Sequence, residues 1–228
     1  MERFEEGQGT AVLFSGGLDS AVLLALAARD GRPQPLYVSV GLAWEQQERA
    51  AAESLLRAEA FAPVLPCVTL HADMHDIYPA THWAMQGTAP GYDTADEDVY
   101  IEGRNIVLLA KASVFMARAA LSRVLIGPLA GNPFPDATPA FFEAMAGALA
   151  MGLAKPISIE APLARMHKAD VIRLGAELGV PLELSLSCMQ PAGGLHCGRC
   201  SKCRERIEGF RNAGVPDLTR YAAGQERL

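Results

Sequence analysis

Short apolar runs alternate with helix-patterned ones along most of this chain. The runs "TAVLFSG" (Thr10–Gly16), "PLYVSVG" (Pro35–Gly41), "PVLPCVTLH", "RVLIGP" and "PISIEAP" read as strands. Between and after them lie "LDSAVLLALAARD", "WEQQERAAAESLLRAEA" (Trp44–Ala60), "NIVLLAKASVFMARAAL", "PAFFEAMAGALAMG" and "HKADVIRLGAELG", which read as helices. Strands separated by helices pair in parallel, and a parallel sheet is covered on both faces. Right-handed crossovers then give an α/β, doubly wound, Rossmann-like sheet. Ligands of such sheets bind beyond the carboxyl ends of the strands. Pro66 weakens the third strand. Residues 71–103 interrupt the alternation with scattered Gly, Pro and acidic residues, as functional or mobile segments do.

Composition narrows the function classes. The 228 residues suffice for one domain with a real core and a small appendage. The formal net charge is -6 with no long basic run, which disfavours a broad nucleic-acid footprint. No apolar stretch approaches the roughly 20 residues of a membrane span. The start "MERFEEGQG" is acidic and polar, unlike a signal peptide, so the cytoplasm is the expected compartment.

The first strand stops at "SGGLDS", Ser15 to Ser20. Gly16 and Gly17 reach backbone angles closed to other residues and admit a ligand to the main chain. The helix behind them opens with unpaired N–H groups and the positive end of its dipole, which suits phosphate. Ser15 and Ser20 add hydroxyls. Asp19, a carboxylate at an anion site, either caps the helix or holds a magnesium ion. The run lacks the lysine of a Walker loop and is not G-x-G-x-x-G.

Four of the five cysteines, Cys188, Cys197, Cys200 and Cys203, stand as C-x8-C-x2-C-x2-C. In a reducing compartment this spacing points to metal. Four thiolates complete a closed tetrahedral zinc shell, with a redox dithiol or an iron–sulfur cluster as alternatives. Arg199, Lys202, Arg204 and Arg206 surround the cluster and offset its charge, and His196 is a spare ligand. Cys203 falls in the first turn of a last helix, and Cys67 reads as core. "HADMH" sets His71 and His75 a helical turn apart without the glutamate of a metalloprotease.

"SGGLDS" resembles the pyrophosphate loop of the ATP pyrophosphatase superfamily. Together with the late cysteines it resembles the 7-cyano-7-deazaguanine synthase family of queuosine biosynthesis. "EGRNIVLLAKA", "RVLIGP", "FPDATPAFFEAM" and "IEAPLARMHKADVIRLGAELGVPLELSLSC" are similar to further segments of that family, so the resemblance runs from about residue 10 to 212. It implies a PP-loop ATP-binding α/β domain over 1–183 and a zinc-binding region over 184–228. It implies that Phe14, Ser15, Gly16, Gly17, Leu18, Asp19 and Ser20 cradle ATP, helped by Arg104 and Asn105. Ser15, Asp19, Ser20 and Lys168 would carry catalysis, Asp136 and Glu102 would touch substrate, and the four cysteines would hold zinc. ATP with Mg2+ would adenylate 7-carboxy-7-deazaguanine, and ammonia would lead on to the nitrile. A cytoplasmic homodimer without membrane or direct nucleic-acid partner is implied as well.

The substrate side departs from the family pattern. "VGLAWEQQE" stands where a Y-G-Q-like segment is usual. "PDATPAF" keeps Asp136 but has Thr138 and Ala140 for Arg and Glu, and Glu102 replaces a proline. These departures keep alive a paralogue that adenylates another carboxylate. A nucleotide-binding module without turnover is disfavoured by the intact loop. A tRNA-thiolating enzyme is disfavoured because Cys67 is the one cysteine outside the cluster.

Overall fold

The computed structural model describes residues 9–222. The acidic start, on which the expectation of no signal peptide rests, and the last six residues of the C-terminal region lie outside the described residues. The chain runs β1 (Gly9–Leu13), α1 (Leu18–Ala28), β2 (Gln34–Ser39), α2 (Glu45–Leu55) and β3 (Val68–His71). It continues through α3 (Trp83–Gln86), α4 (Arg104–Arg118), β4 (Leu121–Leu125) and α5 (Pro139–Leu153). It closes with β5 (Ser158–Glu160), α6 (Lys168–Glu177) and α7 (Ser201–Ala213). No helix among the described residues is long and apolar enough to cross a membrane.

The five strands form one parallel sheet in the order β3-β2-β1-β4-β5. The path moves outward from β1 through β2 to β3, then returns to the other side of β1. This reversal opens a crevice at the carboxyl ends of β1 and β4, where such sheets bind ligands. Side chains alternate across the sheet. Ala11 and Leu13 join Leu36, Val38 and Val124 in one core, with Leu109 and Met116 of α4 and Phe142 of α5. Val12, Phe14 and Leu125 enter a second core with α1, α6 and Ala52 and Leu55 of α2. Period-2 alternation in doubly covered strands fills both cores at once.

β3 begins only after Pro66, which cannot donate a ladder hydrogen bond. α2 ends at Leu55, and residues 59–61 form a separate 3-10 turn. The irregular segment is anchored rather than loose: Met74, Tyr78, Ala84, Val99 and Ile101 are buried in the first core. Cys67 is half-buried at the amino end of β3, not fully in the core as its apolar context suggests. α7 lies close against α6. A Cβ on Gly209 would come 2.5 Å from Lys168 Cγ and 2.9 Å from Ile172 Cδ1, so the missing side chain sets the approach. The four clustered cysteines belong to the same core as the first sheet face.

Candidate active site

A cavity of about 390 Å3 opens at the carboxyl ends of β1, β2 and β4. One wall is the glycine-serine turn. Gly16 has φ +78°, and a Cβ there would meet Glu48 O at 2.6 Å and Ala52 N at 2.8 Å. Conformation and the approach of α2 both demand glycine. Gly17 is different: its φ of -75° is open to any residue. Its Cβ would sit 3.1 Å from Ser15 Oγ and 3.4 Å from Leu186 O, so closeness is its constraint. The turn is internally braced. Gly17 N–H donates to Ser15 Oγ at 3.2 Å, Ser15 N–H to Ser20 Oγ at 3.3 Å, and Ser20 Oγ–H to Gly17 O at 3.0 Å. No side chain caps α1, which leaves its first-turn amides without a side-chain acceptor at the cavity rim.

Behind the turn runs a chain of charges. Lys168 Nζ donates to both oxygens of Asp19 at 2.8 and 2.7 Å and pairs with Glu205 Oε1 at 2.8 Å. Lys202 Nζ pairs with Glu205 Oε2 at 2.9 Å and lies 3.8 Å from Asp96 Oδ1. Burial alone pulls Lys168 down, but Asp19 and Glu205 outweigh it and raise the ammonium above its ordinary value. Burial alone would raise Glu205, yet the two lysine charges hold it at about 2. Lys168 is therefore a fixed cation beside the turn.

The opposite wall is aromatic. Trp44 and Trp83 stack with centroids 5.8 Å apart, and Tyr100 stacks on Phe134 at 5.0 Å. Glu48, one turn after Trp44, accepts from Tyr37 Oη and from Trp44 Nε1, each at 3.0 Å. Burial pushes its carboxyl up to about 7, although the Arg104 guanidinium and the two hydrogen bonds oppose the shift. Glu45 does structural work at the end of β2. Its Oε1 accepts from the amides of Val40, Gly41 and Leu42, and its Oε2 from Ser39 Oγ.

The sulfurs of Cys188, Cys197, Cys200 and Cys203 all lie within 4.8 Å of one another and are buried, a group that could hold a metal ion. Backbone amides already point at them. Cys197 N–H donates to Cys188 Sγ at 3.2 Å, and Arg199 N–H to Cys197 Sγ at 3.5 Å. His196 is spent elsewhere: its Nε2 accepts from Ser187 N–H at 3.0 Å, and burial with the Arg206 charge lowers it to about 4.

The family model described as "Queuosine biosynthesis protein QueC" matches residues 10–214. The chain belongs to the QueC family. Among its curated relatives, the 7-cyano-7-deazaguanine synthase of Solidesulfovibrio magneticus is 36% identical, over 94% of this chain and 96% of its own. That of an Anaeromyxobacter species is 37% identical, over 92% and 94%. That of Methanothrix thermoacetophila is 34% identical, over 93% and 99%. Among solved structures, a predicted subunit of tRNA methyltransferase from Methanocaldococcus jannaschii matches with TM-score 0.48 and 15% identity over 75% of each chain.

In this QueC family member the structure gathers most of the residues singled out in the sequence. Phe14, Ser15, Gly17, Leu18, Asp19, Ser20, Arg104, Asn105, Asp136 and Lys168 line the cavity, and Gly16 sits at its turn. Asp19 does not cap α1, since both its oxygens face Lys168. Asp136 is already engaged, accepting from Asn105 N and Nδ2 at 3.1 and 3.2 Å, which ties the start of α4 to the 135–137 turn. Glu102 is exposed and is not among the residues lining the cavity, although Ile101 and Arg104 on either side of it are. The expected charge offset by arginines takes another form. Arg204 donates to Tyr92 O and Thr94 O, and buried Arg206 donates to Thr219, Ser185, Ser187 and Leu182 O. Thr138, where an arginine was expected, N-caps α5 by accepting from Phe141 N–H at 3.2 Å. Cys67, at the amino end of β3, stands at the opposite sheet edge from the cavity. Glu48, Trp44, Trp83 and Glu205 escaped sequence reading; the one signal, for Trp44 and Glu48, was their Trp-x-x-x-Glu spacing.

Proposed function

We propose that this chain is a 7-cyano-7-deazaguanine synthase that consumes MgATP and ammonia. A carboxylate oxygen of 7-carboxy-7-deazaguanine attacks the α-phosphorus of ATP and pyrophosphate leaves. Ammonia displaces AMP to give the amide. The amide oxygen attacks the α-phosphorus of a second ATP, pyrophosphate leaves, and loss of AMP with the two amide protons gives the nitrile. One observation carries the reading: an uncapped helix start and a half-buried, doubly paired lysine converge at the sheet's switch point in a chain whose relatives bear that synthase name. The first-turn amides of α1 would receive phosphate oxygens, and Lys168 would stabilise charge on the departing pyrophosphate. Magnesium arrives with the nucleotide, and Asp19, whose two oxygens each accept from Lys168 Nζ, stands beside the loop that would receive it.

Zinc is the metal that suits the cysteine cluster. A tetrahedral shell at Zn–S distances of ~2.3 Å sets sulfurs about 3.8 Å apart, and Cys197 Sγ lies 3.9 Å from Cys203 Sγ. Four ligands close the shell, so its work is to fix the start of α7, which carries Lys202, Glu205 and Arg206 to the cavity. A reducing cytoplasm fits four thiolates. A homodimer fits α5, whose 15 residues hold one charge and bury only Phe142, leaving Met151 81% exposed.

The test is direct. Incubation with ATP, magnesium, ammonium and the acid should yield the nitrile by mass. AMP formed only with a different acid supports the paralogue reading, which the altered "VGLAWEQQE" and "PDATPAF" segments favour.

A further inference from the structure

We infer that Glu48 reads the paired N–H donors on the 2-amino-4-oxopyrimidine edge of the substrate, a role that rests on the synthase reading above. Six carboxylates line the cavity: Asp19, Glu45, Glu48, Asp96, Asp136 and Glu205. Four are committed. Asp19 and Glu205 are bridged by Lys168, Asp96 faces Lys202, and Glu45 holds three backbone amides and Ser39 Oγ. Asp136 and Glu48 each accept one neutral donor per oxygen, Asp136 from Asn105 N and Nδ2, Glu48 from Tyr37 Oη and Trp44 Nε1. Asp136 uses its pair to tie the start of α4 to the 135–137 turn, whereas Glu48 is held by Trp44 of the Trp44–Trp83 stack, beside the aromatic faces a base would lie on. Above about pH 7 the ionised form predominates, and an ionised carboxylate offers about four lone-pair sites, so each oxygen then keeps capacity for one more donor.

That remaining capacity has a definite chemical complement. Two acceptor oxygens in one plane match a ring N–H beside an exocyclic amino group, as they match the fork of an arginine. An adenine edge offers a donor beside an acceptor and matches an ionised carboxylate at only one point. The surroundings suit a flat heterocycle. Trp44, Trp83, Tyr100 and Phe134 share the wall with Glu48 and present aromatic faces. Tyr37 and Trp44 hold the carboxylate in place before ligand arrives, which cuts the ordering cost of binding.

Calorimetric titration at about pH 8, where Glu48 is ionised, with 7-carboxy-7-deazaguanine and with its analogue lacking the 2-amino group tests the role. The native protein should prefer the parent acid by roughly tenfold to a hundredfold, the worth of one charge-assisted hydrogen bond. Glu48→Gln should weaken the parent by a similar factor, leave the analogue nearly unchanged and so erase the preference. Retained binding of a non-hydrolysable ATP analogue reports that the fold and the loop are intact. Should Glu48→Gln misfold, Trp44→Phe frees one oxygen and should lower the preference several-fold. Three results overturn the inference. The preference could survive both variants, which puts the reader elsewhere. Glu48→Gln could weaken the ATP analogue and spare the acid, which turns Glu48 toward the nucleotide. The native protein could bind the ATP analogue and neither acid, in which case the synthase reading fails first.

Discussion

The two walls of the cavity are built in opposite ways. The glycine-serine wall is one contiguous hexapeptide whose hydrogen bonds span at most five residues. The aromatic wall is assembled from β2, α2, α3 and the segment around Tyr100 and Phe134, which meet only in the folded chain. A local turn carries its own geometry, so it survives change around it. A wall made of distant segments can be re-cut one residue at a time. This matches where the chain keeps the family pattern, at "SGGLDS", and where it departs, at "VGLAWEQQE" and "PDATPAF". Under the proposed function, chemistry resides in the first wall and selectivity in the second.

The largest break comes from the cysteines that brace both walls. Cys203→Ala opens a closed shell whose metal binding is worth on the order of 10 kcal/mol or more in structural zinc sites. The metal should fall from one per chain toward zero by elemental analysis, with a large loss of thermal stability. Next is the loop wall. Lys168→Met removes the fixed cation, strands Asp19 and leaves Glu205 with Lys202 alone. Its kcat should drop about 100- to 1000-fold, while the deazaguanine acid still binds by calorimetry.

The aromatic wall should show itself in the pH dependence of stability. Glu48 is held near 7 in the folded chain by burial, against an ordinary 4.5, with Arg104, Glu45 and Tyr37 as its charged or titratable neighbours. The unfolded chain releases this proton first as pH rises. Glu48 therefore costs nothing below about pH 4.5, and its cost grows until pH 7 and is constant above. Denaturant unfolding should find Glu48→Gln gaining on the native protein by as much as about 3 kcal/mol between pH 4.5 and 8. A flat difference would mean that Glu48 ionises normally. The smallest effect is expected at Thr138→Ala, where loss of an N-cap should cost about 1 kcal/mol and shift the melting temperature by a few degrees, with turnover little changed.

The same contrast explains what the sequence made legible. Alternating apolar runs and Ala- and Leu-rich helices were enough for a parallel, doubly wound sheet, because periodicity is a local property. The turn was legible for the same reason. Lys168 was legible only through the family resemblance; that Asp19 and Glu205 hold it depends on contacts across 149 and 37 residues. Glu48 was hidden. "WEQQERAAAESL" reads as a helix with charged and apolar residues at helical spacing, and only the packing of Tyr37 and Trp44 around one of its glutamates sets that residue apart. Arg206 was expected as a cation offsetting the thiolates; that it is a buried strut with four acceptors is something no spacing rule reveals.

Isotope transfer tests the adenylation chemistry most directly. The chain would be given ATP, magnesium, ammonium and 7-carboxy-7-deazaguanine carrying 18O in both carboxylate oxygens. Each adenylation should move one labelled oxygen into AMP, so the nitrile should appear with two AMP per molecule, each singly labelled. Nitrile with unlabelled AMP, or no AMP from this acid while the folded, metal-loaded protein binds it, would contradict the proposal.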